Sequence, residues 1–447
     1  MKNPGSPPVS LAVVMGALLL GTSAAHAQVA LEASGVRPAS AVSEGGGTSQ
    51  PEVAPGTVAV SLAEVMRLLG TRSPVLAASK AGVEVARAEE TDARVIPNPT
   101  LSWNMLKPLA GADTTAGTQN TFSLEQPLFL AGQRGRRIRA AQALVAAAEA
   151  NAVLSEQELR REATQRYVTL QAAQEKLELW RMAQTRLAEV ERIIAGRRDA
   201  GASSDYDALR VKAETAVVAS EVTRAEADVR DAEGTLSTLL GMPRWRPSAS
   251  ERLHAFGVTA TEEGDAALQG LPALRAKSAE LTAARASVDA ARRSAWPELS
   301  VQVGAFTTSA PQGVAGIVGL AVPLPVFDRA QGAIARANAQ ANRVALERQA
   351  LLGEVDAERY RATRVLAARR AALDGFEQSA GARLVTLETM AQEAYRSGAG
   401  NILDLLDALR TNVELETQRA DLLEDLVHAE VEAAYALGRP QLVGGVP

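Results

Sequence analysis

The sequence predicts a mainly α-helical fold with a small β part, laid out as two tandem repeats of helix, β-hairpin, long helix and helix. Three observations predict it. Apolar residues recur at helical spacing over stretches longer than a compact domain needs, with no proline from Gln133 to Arg198. In two places the period falls from 3.6 to 2, the mark of strands. Short words also recur in the same order at offsets of 196 to 200 residues, which is a duplication.

Composition narrows the class. The 447 residues are 47% hydrophobic and 22% charged, enough for a large core, but only 3% aromatic, which favours close-packed helices joined through small residues. Lys2, the apolar run Leu11–Leu20 and Ala25-His26-Ala27 before Gln28 read as a signal peptide over 1–27. That run is shorter than the ~20 residues a membrane helix needs. With no cysteine there are no disulfides, no thiolate metal sites and no lipid-bearing Cys after the signal. A net charge of −5 gives no electrostatic case for nucleic acid. No Gly-rich phosphate loop, nucleophile elbow or H-E-x-x-H stands in the chain, so neither an enzyme nor a cofactor is expected.

The elements come in order. A leader over 28–60, Gly/Pro/Ser-rich from Val42 to Val58, reads as a connector that does not pack. The first repeat, 61–242, opens with Leu62, Val65 and Leu69 at helical spacing; Pro74 interrupts, and a second helix runs to Val95 before Pro97-Asn98-Pro99. Leu101, Trp103 and Met105 then alternate with Ser102 and Asn104, and a partner strand covers Gln119–Phe129 across a small-residue tip at Gly111–Gly117. From Gln133 to Arg198, Ile138, Ala141, Val145, Ala148 and Ala152 form a seam of alternating spacings of three and four; at ~1.5 Å per residue this rod is about 100 Å long. Gly201 breaks it, and Ser203 or Ser204 caps a return helix that runs from Asp205 to Leu240. An irregular linker, 243–264, leads to the second repeat, 265–440, and a tail, 441–447.

The duplication is explicit. Pro99-Thr-Leu101-Ser102 recurs as Pro297-Glu-Leu299-Ser300, Pro127-Leu128 as Pro323-Leu324, Asp207-Ala-Leu-Arg210 as Asp407-Ala-Leu-Arg410, and Leu240-Gly241 as Leu437-Gly438. Two strands per repeat make four per chain, too few to close a barrel, and open edges are not tolerated in lipid. Three chains pooling their strands reach twelve, an even number suited to an outer-membrane barrel. Trp103, Phe122, Phe129, Trp296, Phe306 and Phe327 fall in or beside the strands, where a membrane-interface girdle or ordinary strand propensity places aromatics. Arg134, Arg136, Arg137 and Arg139 gather where the first strand pair meets its helix, as a lipid-phosphate cluster or a solvated helix face.

These residues carry a resemblance. Pro97-Asn98-Pro99, Leu124-Glu-Gln-Pro-Leu128, Gly132 at the sheet-to-helix joint, Pro323-Leu-Pro-Val-Phe-Asp328 and Tyr395-Arg-Ser-Gly398 before Asn401-Ile-Leu-Asp-Leu-Leu-Asp-Ala408 resemble the TolC-like outer-membrane factor family from about Ser61 to Pro440. Leu128–Arg134 and Pro325–Gly332 look most like the outer-membrane component of cobalt-zinc-cadmium type heavy-metal efflux systems. The resemblance implies a homotrimer whose twelve-stranded barrel sits in outer-membrane lipid and continues as a periplasmic helical tunnel. It implies docking of a periplasmic adaptor, and through it an inner-membrane resistance-nodulation-division pump, at hairpin tips that here are Gly201, Ser204 and Asp205, and Gly398, Asn401 and Ile402.

The resemblance also implies a periplasmic gate of carboxylates at Asp404 and Asp407, which at i, i+3 share a helix face. Their alternative role is to cap or solvate a helix start. Gly400 stands where some members have an arginine, so an ion-pair lock is not expected there. The mature chain has only His254 and His428 and no Cys, which is no soft-metal site. A periplasmic coiled-coil adaptor and a duct for drugs or type I protein secretion are the rival readings.

Overall fold

The computed structural model describes residues 56–107, 117–201, 203–259, 268–309 and 312–443. The signal peptide, the leader up to residue 55, most of the first hairpin tip, positions 260–267 and the end of the tail lie outside the described residues.

The first repeat begins with strand β1, Val58–Val60. Helix α1, Leu62–Arg72, and helix α2, Pro74–Arg94, are each capped by a serine, Ser61 accepting from the Glu64 N–H and Ser73 from that of Leu76. Pro74 is the first residue of α2, where its missing N–H costs nothing. Strands β2, Thr100–Leu106, and β3, Gln119–Leu128, form the hairpin, followed by the long helix α3, Gln133–Asp199, and the return helix α4, Asp205–Leu239. Strand β4, Pro247–Ala249, lies between the repeats. The second repeat gives α5, Pro272–Ser294, β5, Leu299–Ser309, β6, Gln312–Ala321, α6, Gln331–Phe376, α7, Ala382–Ser397, and α8, Ile402–Ala436.

Two stretches differ from the sequence reading. Val58–Val60 belongs to the expected leader, yet it is a strand, paired in parallel with β4 inside the expected irregular linker, and Val60 is buried. The polar side chains of α3 make this possible. Tyr167 donates its hydroxyl to the Val60 carbonyl at 3.0 Å, Gln174 bridges Ser248 and Ala249 at 3.0 and 3.1 Å, and Gln171 donates to the Glu251 carbonyl at 3.0 Å. The second difference is a π-turn at Glu377–Gly381 between α6 and α7, whose counterpart α3 runs unbroken.

The four larger strands form one antiparallel sheet in the order β2-β3-β5-β6, so the two hairpins join through β3 and β5. The core lies elsewhere, along α3, which packs on α2, α4, α5 and α8 through residues such as Ala163, Val168 and Leu170, all fully buried. The predicted seam is only partly closed in one chain: Ala141 is buried, while Ile138, Val145, Ala148 and Ala152 are half-buried.

Both long helices start from a left-handed residue, Gly132 with φ 77° and Ala330 with φ 57°. In each joint the next residue, a glutamine, accepts the N–H two residues before it: Gln133 from Ala131 at 3.1 Å, Gln331 from Arg329 at 2.7 Å. Ala330 holds this conformation against the clash of its Cβ, at a cost of about 1 kcal/mol relative to glycine. Ala330→Gly is expected to raise the thermal stability of the detergent-solubilised protein, and Gly132→Ala to lower it by a similar amount, both read by thermal unfolding at fixed protein and detergent concentration.

Candidate functional site

The sheet sorts most of its side chains between an apolar and a polar face. Leu101, Trp103 and Met105 of β2 share a face with Phe122 and Leu124 of β3, Val301 and Val303 of β5, and Val318 and Leu320 of β6. Trp103 is 59%, Leu101 71% and Val318 83% exposed. The opposite face carries Ser102, Ser123 and Gln302, with the Ser102 and Ser123 hydroxyls 2.7 Å apart and Gln302 donating to Ser123 at 3.0 Å. Gly304 shares that face, and a Cβ there would sit 2.3 Å from the Phe122 carbonyl oxygen. An apolar face this open is the surface a strand presents to lipid, and a polar face behind it is the surface of a barrel interior.

The aromatic positions divide three ways. Trp103 and Phe122 are directly paired across β2 and β3 and stack at 6.3 Å on the apolar face. Phe129 and Trp296 lie at the sheet-to-helix joints beneath the guanidinium groups of Arg137 and Arg293, each at 5.2 Å, while Phe327 at the equivalent joint is 92% exposed. Phe306 departs from the expected set: it stands opposite Thr121, on the polar face, half-buried. Two members of the arginine cluster have helix-capping work. Arg134 donates to the Arg94 carbonyl at 2.7 Å and Arg137 to that of Val95 at 3.3 Å, satisfying carbonyls at the end of α2.

At the far end of the helices the two hairpin tips are near copies. Gly201 and Gly398 are left-handed at φ 71° and 77°, and α4 and α8 both start in a capping box. Ser204 accepts from the Asp207 N–H at 3.1 Å while Asp207 accepts from Ser204 at 3.0 Å. Asn401 accepts from the Asp404 N–H at 2.9 Å while Asp404 accepts from Asn401 at 3.4 Å. Asp205 is exposed as the first residue of α4, whereas its counterpart Ile402 is buried. The tips lie side by side, with the Arg197 guanidinium 4.7 Å over the Tyr395 ring.

The capping boxes realign the duplication. Asp207 corresponds to Asp404, 197 residues on, and Gly241 to Gly438 at the same offset, so the recurring Asp-Ala-Leu-Arg word, 200 residues apart, is out of register by three. The two expected gate carboxylates therefore differ in setting. Asp404 is engaged by its own helix start; Asp407 is 74% exposed, with Arg410 at 3.9 Å on the same side, and Arg410 in turn reaches Glu414 at 3.3 Å. Gly400 fits where it stands, since a Cβ would lie 3.1 Å from that of Ala394.

Sequence reasoning missed the carboxylates, buried and half-exposed, that tie the elements together. Glu430 is fully buried and accepts from the Phe256 and Gly257 N–H groups at 2.6 and 3.1 Å and from Arg370 at 2.8 Å. Glu233, 197 residues earlier, is buried against Arg246 at 3.2 Å. Glu388 receives Arg186 of α3 at 2.8 Å, Gln392 at 3.1 Å and the Asn412 amide. Lys176 of α3 spans to Asp421 and Glu424 of α8 at 2.5 and 2.8 Å. The duplication offset was the available signal for Glu233 and Glu430; nothing local marks the others. Among the described residues no group of three side chains could hold a metal ion, and no helix is long and apolar enough to cross a membrane.

The family model described as outer membrane efflux protein matches residues 65–242 and 264–439, one match per repeat. The chain belongs to the outer membrane efflux protein family. It is 27% identical over 407 residues to the cobalt-zinc-cadmium resistance protein CzcC of Cupriavidus metallidurans, covering 88% of this chain and 94% of CzcC. It is 30% identical over 312 residues to the nickel-cobalt-cadmium resistance protein NccC of Alcaligenes xylosoxydans xylosoxydans, 68% of each chain. In fold it matches the outer membrane protein VceC of Vibrio cholerae with a TM-score of 0.69 at 20% identity, over 84% of this chain and 96% of that one. As an outer membrane efflux protein the chain is a transport component, a TolC-like channel protein of the outer membrane.

Asn401→Ala removes one half of the second capping box and is expected to destabilise the α8 start by about 1 kcal/mol, seen as faster amide exchange over 402–405. Burial raises the Glu424 carboxyl, but hydrogen bonds from His428 and Lys176 outweigh it and hold the group below its ordinary value. Its contribution to stability is therefore present above the unfolded carboxyl pKa of ~4.3 and is lost as pH falls through the lower folded value. Glu424→Gln is expected to flatten the acid limb of a stability-against-pH curve below pH ~4.3.

Proposed function

We propose that the protein works as a homotrimer, a passive exit duct for divalent heavy-metal cations that continues a periplasmic adaptor and an inner-membrane resistance-nodulation-division pump. The observation that carries this is the sheet: four strands, one face apolar and exposed, and two edges, β2 and β6, without a partner among the described residues. Three copies supply twelve strands, close every edge and turn the apolar face to lipid and the polar face to a lumen. The cargo reading rests on the likeness to CzcC and NccC, whose names record resistance to cobalt, zinc, cadmium and nickel.

In this reading the hairpin tips at Gly201, Ser204 and Asp205 and at Gly398, Asn401 and Ile402 meet the adaptor, and Asp404 and Asp407 form acidic rings where the tunnel narrows. Asp407 is the stronger contributor, because Asp404 already accepts a backbone N–H and Asp407 is exposed. A ring of three carboxylates draws cations and slows anions. Trp103 and Phe122 lie at the lipid interface, and Phe129, Trp296 and Phe327 flank the barrel's periplasmic rim.

Planar-bilayer recording of the purified protein tests the reading. Wild type is expected to give discrete cation-preferring channels, Asp407→Asn to lower cation over anion permeability several-fold, and Asp404→Asn to lower it less. Channels of unchanged selectivity in Asp407→Asn defeat the gate assignment alone. In cells, deleting the protein is expected to raise sensitivity to cobalt, zinc or cadmium; unchanged tolerance of all three defeats the cargo assignment.

A further inference from the structure

The sheet carries one charge, and what that charge does follows from the homotrimeric duct proposed above, in which the polar face lines the lumen. Strands β2, β3, β5 and β6 hold a single charged side chain, Glu125 of β3. It stands two residues on from Ser123 and so shares the polar face with Ser102, Ser123 and Gln302. Across the sheet its row reads Thr100, Glu125, Gln302, Gly319, with no cation in it. Glu125 is half-buried, and no hydrogen bond or ion pair reaches its side chain from any described residue. The guanidinium groups at the start of α3 are turned to other partners: Arg134 and Arg137 to carbonyls at the end of α2, and Arg136 to Asp289 at 3.0 Å.

The duplication shows that the fold does not need a carboxylate here. Leu124-Glu125-Gln126-Pro127-Leu128 corresponds to Leu320-Ala321-Val322-Pro323-Leu324, 196 residues on. Ala321 fills the equivalent place on the polar face of β6, opposite Ser300. A methyl group therefore suffices for the strand. Glutamate is disfavoured in strands, and a half-buried carboxylate without a partner gives up hydration that nothing in the packing returns. Its charge is what distinguishes it from the alanine.

We infer that Glu125 is a selectivity-determining residue of the barrel: its three copies form a ring of carboxylates at the periplasmic mouth that favours cations over anions. Glu125 lies three residues before the end of β3, which leads through Gly132 into α3, so the ring sits where ions pass from the helices into the barrel. It is separate from the ring at Asp407. The two lie at opposite ends of the helices, and α3 alone, 67 residues at ~1.5 Å each, is about 100 Å long. That is many times the Debye length of roughly 10 Å at 0.1 M salt, so the rings act independently. In a strand wall with no other charge, nothing offsets the field of Glu125.

Reversal potentials of single channels under a potassium chloride gradient test this, with the mass of the assembly checked by light scattering. Glu125→Ala, which gives β3 the residue that β6 already carries, is expected to lower cation over anion permeability several-fold. Glu125→Lys is expected to turn the preference toward anions. The same fall from Glu125→Ala is expected in an Asp407→Asn background. Because the effect is electrostatic, the gap between wild type and Glu125→Ala is expected to close as salt rises to about 1 M, where the Debye length is roughly 3 Å. Trimeric channels with no cation preference in wild type, or with an unchanged permeability ratio in both Glu125 variants, overturn the assignment and leave the duct standing. So does a fall that persists at about 1 M salt, which marks a changed pore shape, or one lost in the Asp407→Asn background. A wild-type protein with the mass of one chain, or without channel currents, overturns the duct reading and the ring with it.

Discussion

The structure depends on one constraint: a strand surrounded by hydrocarbon has no water to satisfy its N–H and C=O groups, and among the described residues this sheet ends in two strands with one side unpaired. Each unmet group in an apolar medium costs several kcal/mol, far more than any single surface contact in the chain returns. The exposed apolar face makes the cost concrete, because it is a surface for lipid rather than water. The helices carry the same incompleteness. Helix α3 is covered by α2, α4, α5 and α8, whereas α6 packs mainly on α5 and α8, and its first thirteen residues, before Val344, include no buried one. The β6 edge and the open face of α6 belong to the same repeat, so in the proposed trimer one contact serves both.

Within the chain, magnitudes separate the interactions that position elements from those that decorate them. Exposed pairs such as Arg87–Glu84 and Arg361–Glu358 are screened by water and add little. Glu430 is different: a fully buried carboxylate is costly without partners, and it has three, two backbone N–H groups of the linker and Arg370. The linker therefore has one low-energy seat on the second repeat. Glu233 holds Arg246 beside β4 in the first repeat, and the α3 amides fix the same segment from the other side. The two repeats are thus joined by a tied strap rather than a loose connector.

The sequence made the long elements legible because their signals are local and redundant. Ser61, Ser73, Ser204 and Asn401 cap where caps were needed, Pro74 begins a helix, and strand alternation located β2 and β3 to within a residue. The failures share a cause. A three-residue strand such as β1 has no periodicity to read, and its existence is decided by Tyr167, more than a hundred positions away. Phe306 looks like its aromatic neighbours in composition, yet strand parity puts it on the polar face. The π-turn has no compositional mark at all, since Glu377–Gly381 contains ordinary helix formers beside one glycine.

The expected gate shows how one spacing can hide two jobs. Asp404 and Asp407 look interchangeable in sequence, both acidic and one turn apart at the start of a helix. Cap geometry breaks the tie, because the third residue after an N-cap is the one whose side chain can return to the cap N–H, and that residue is Asp404. The first repeat makes the same choice with Ser204 and Asp207, and there the hydrogen bonds to Ser204 hold the Asp207 carboxyl below its ordinary value. An acid that accepts bonds from its own backbone is fixed in place and partly screened. One turn later Asp407 has no such obligation, and its ion-pair partner is Arg410, which it shares with Glu414. In the proposed channel the exposed carboxylate of Asp407 is the one placed to meet a passing ion, with Arg410 shared between it and Glu414.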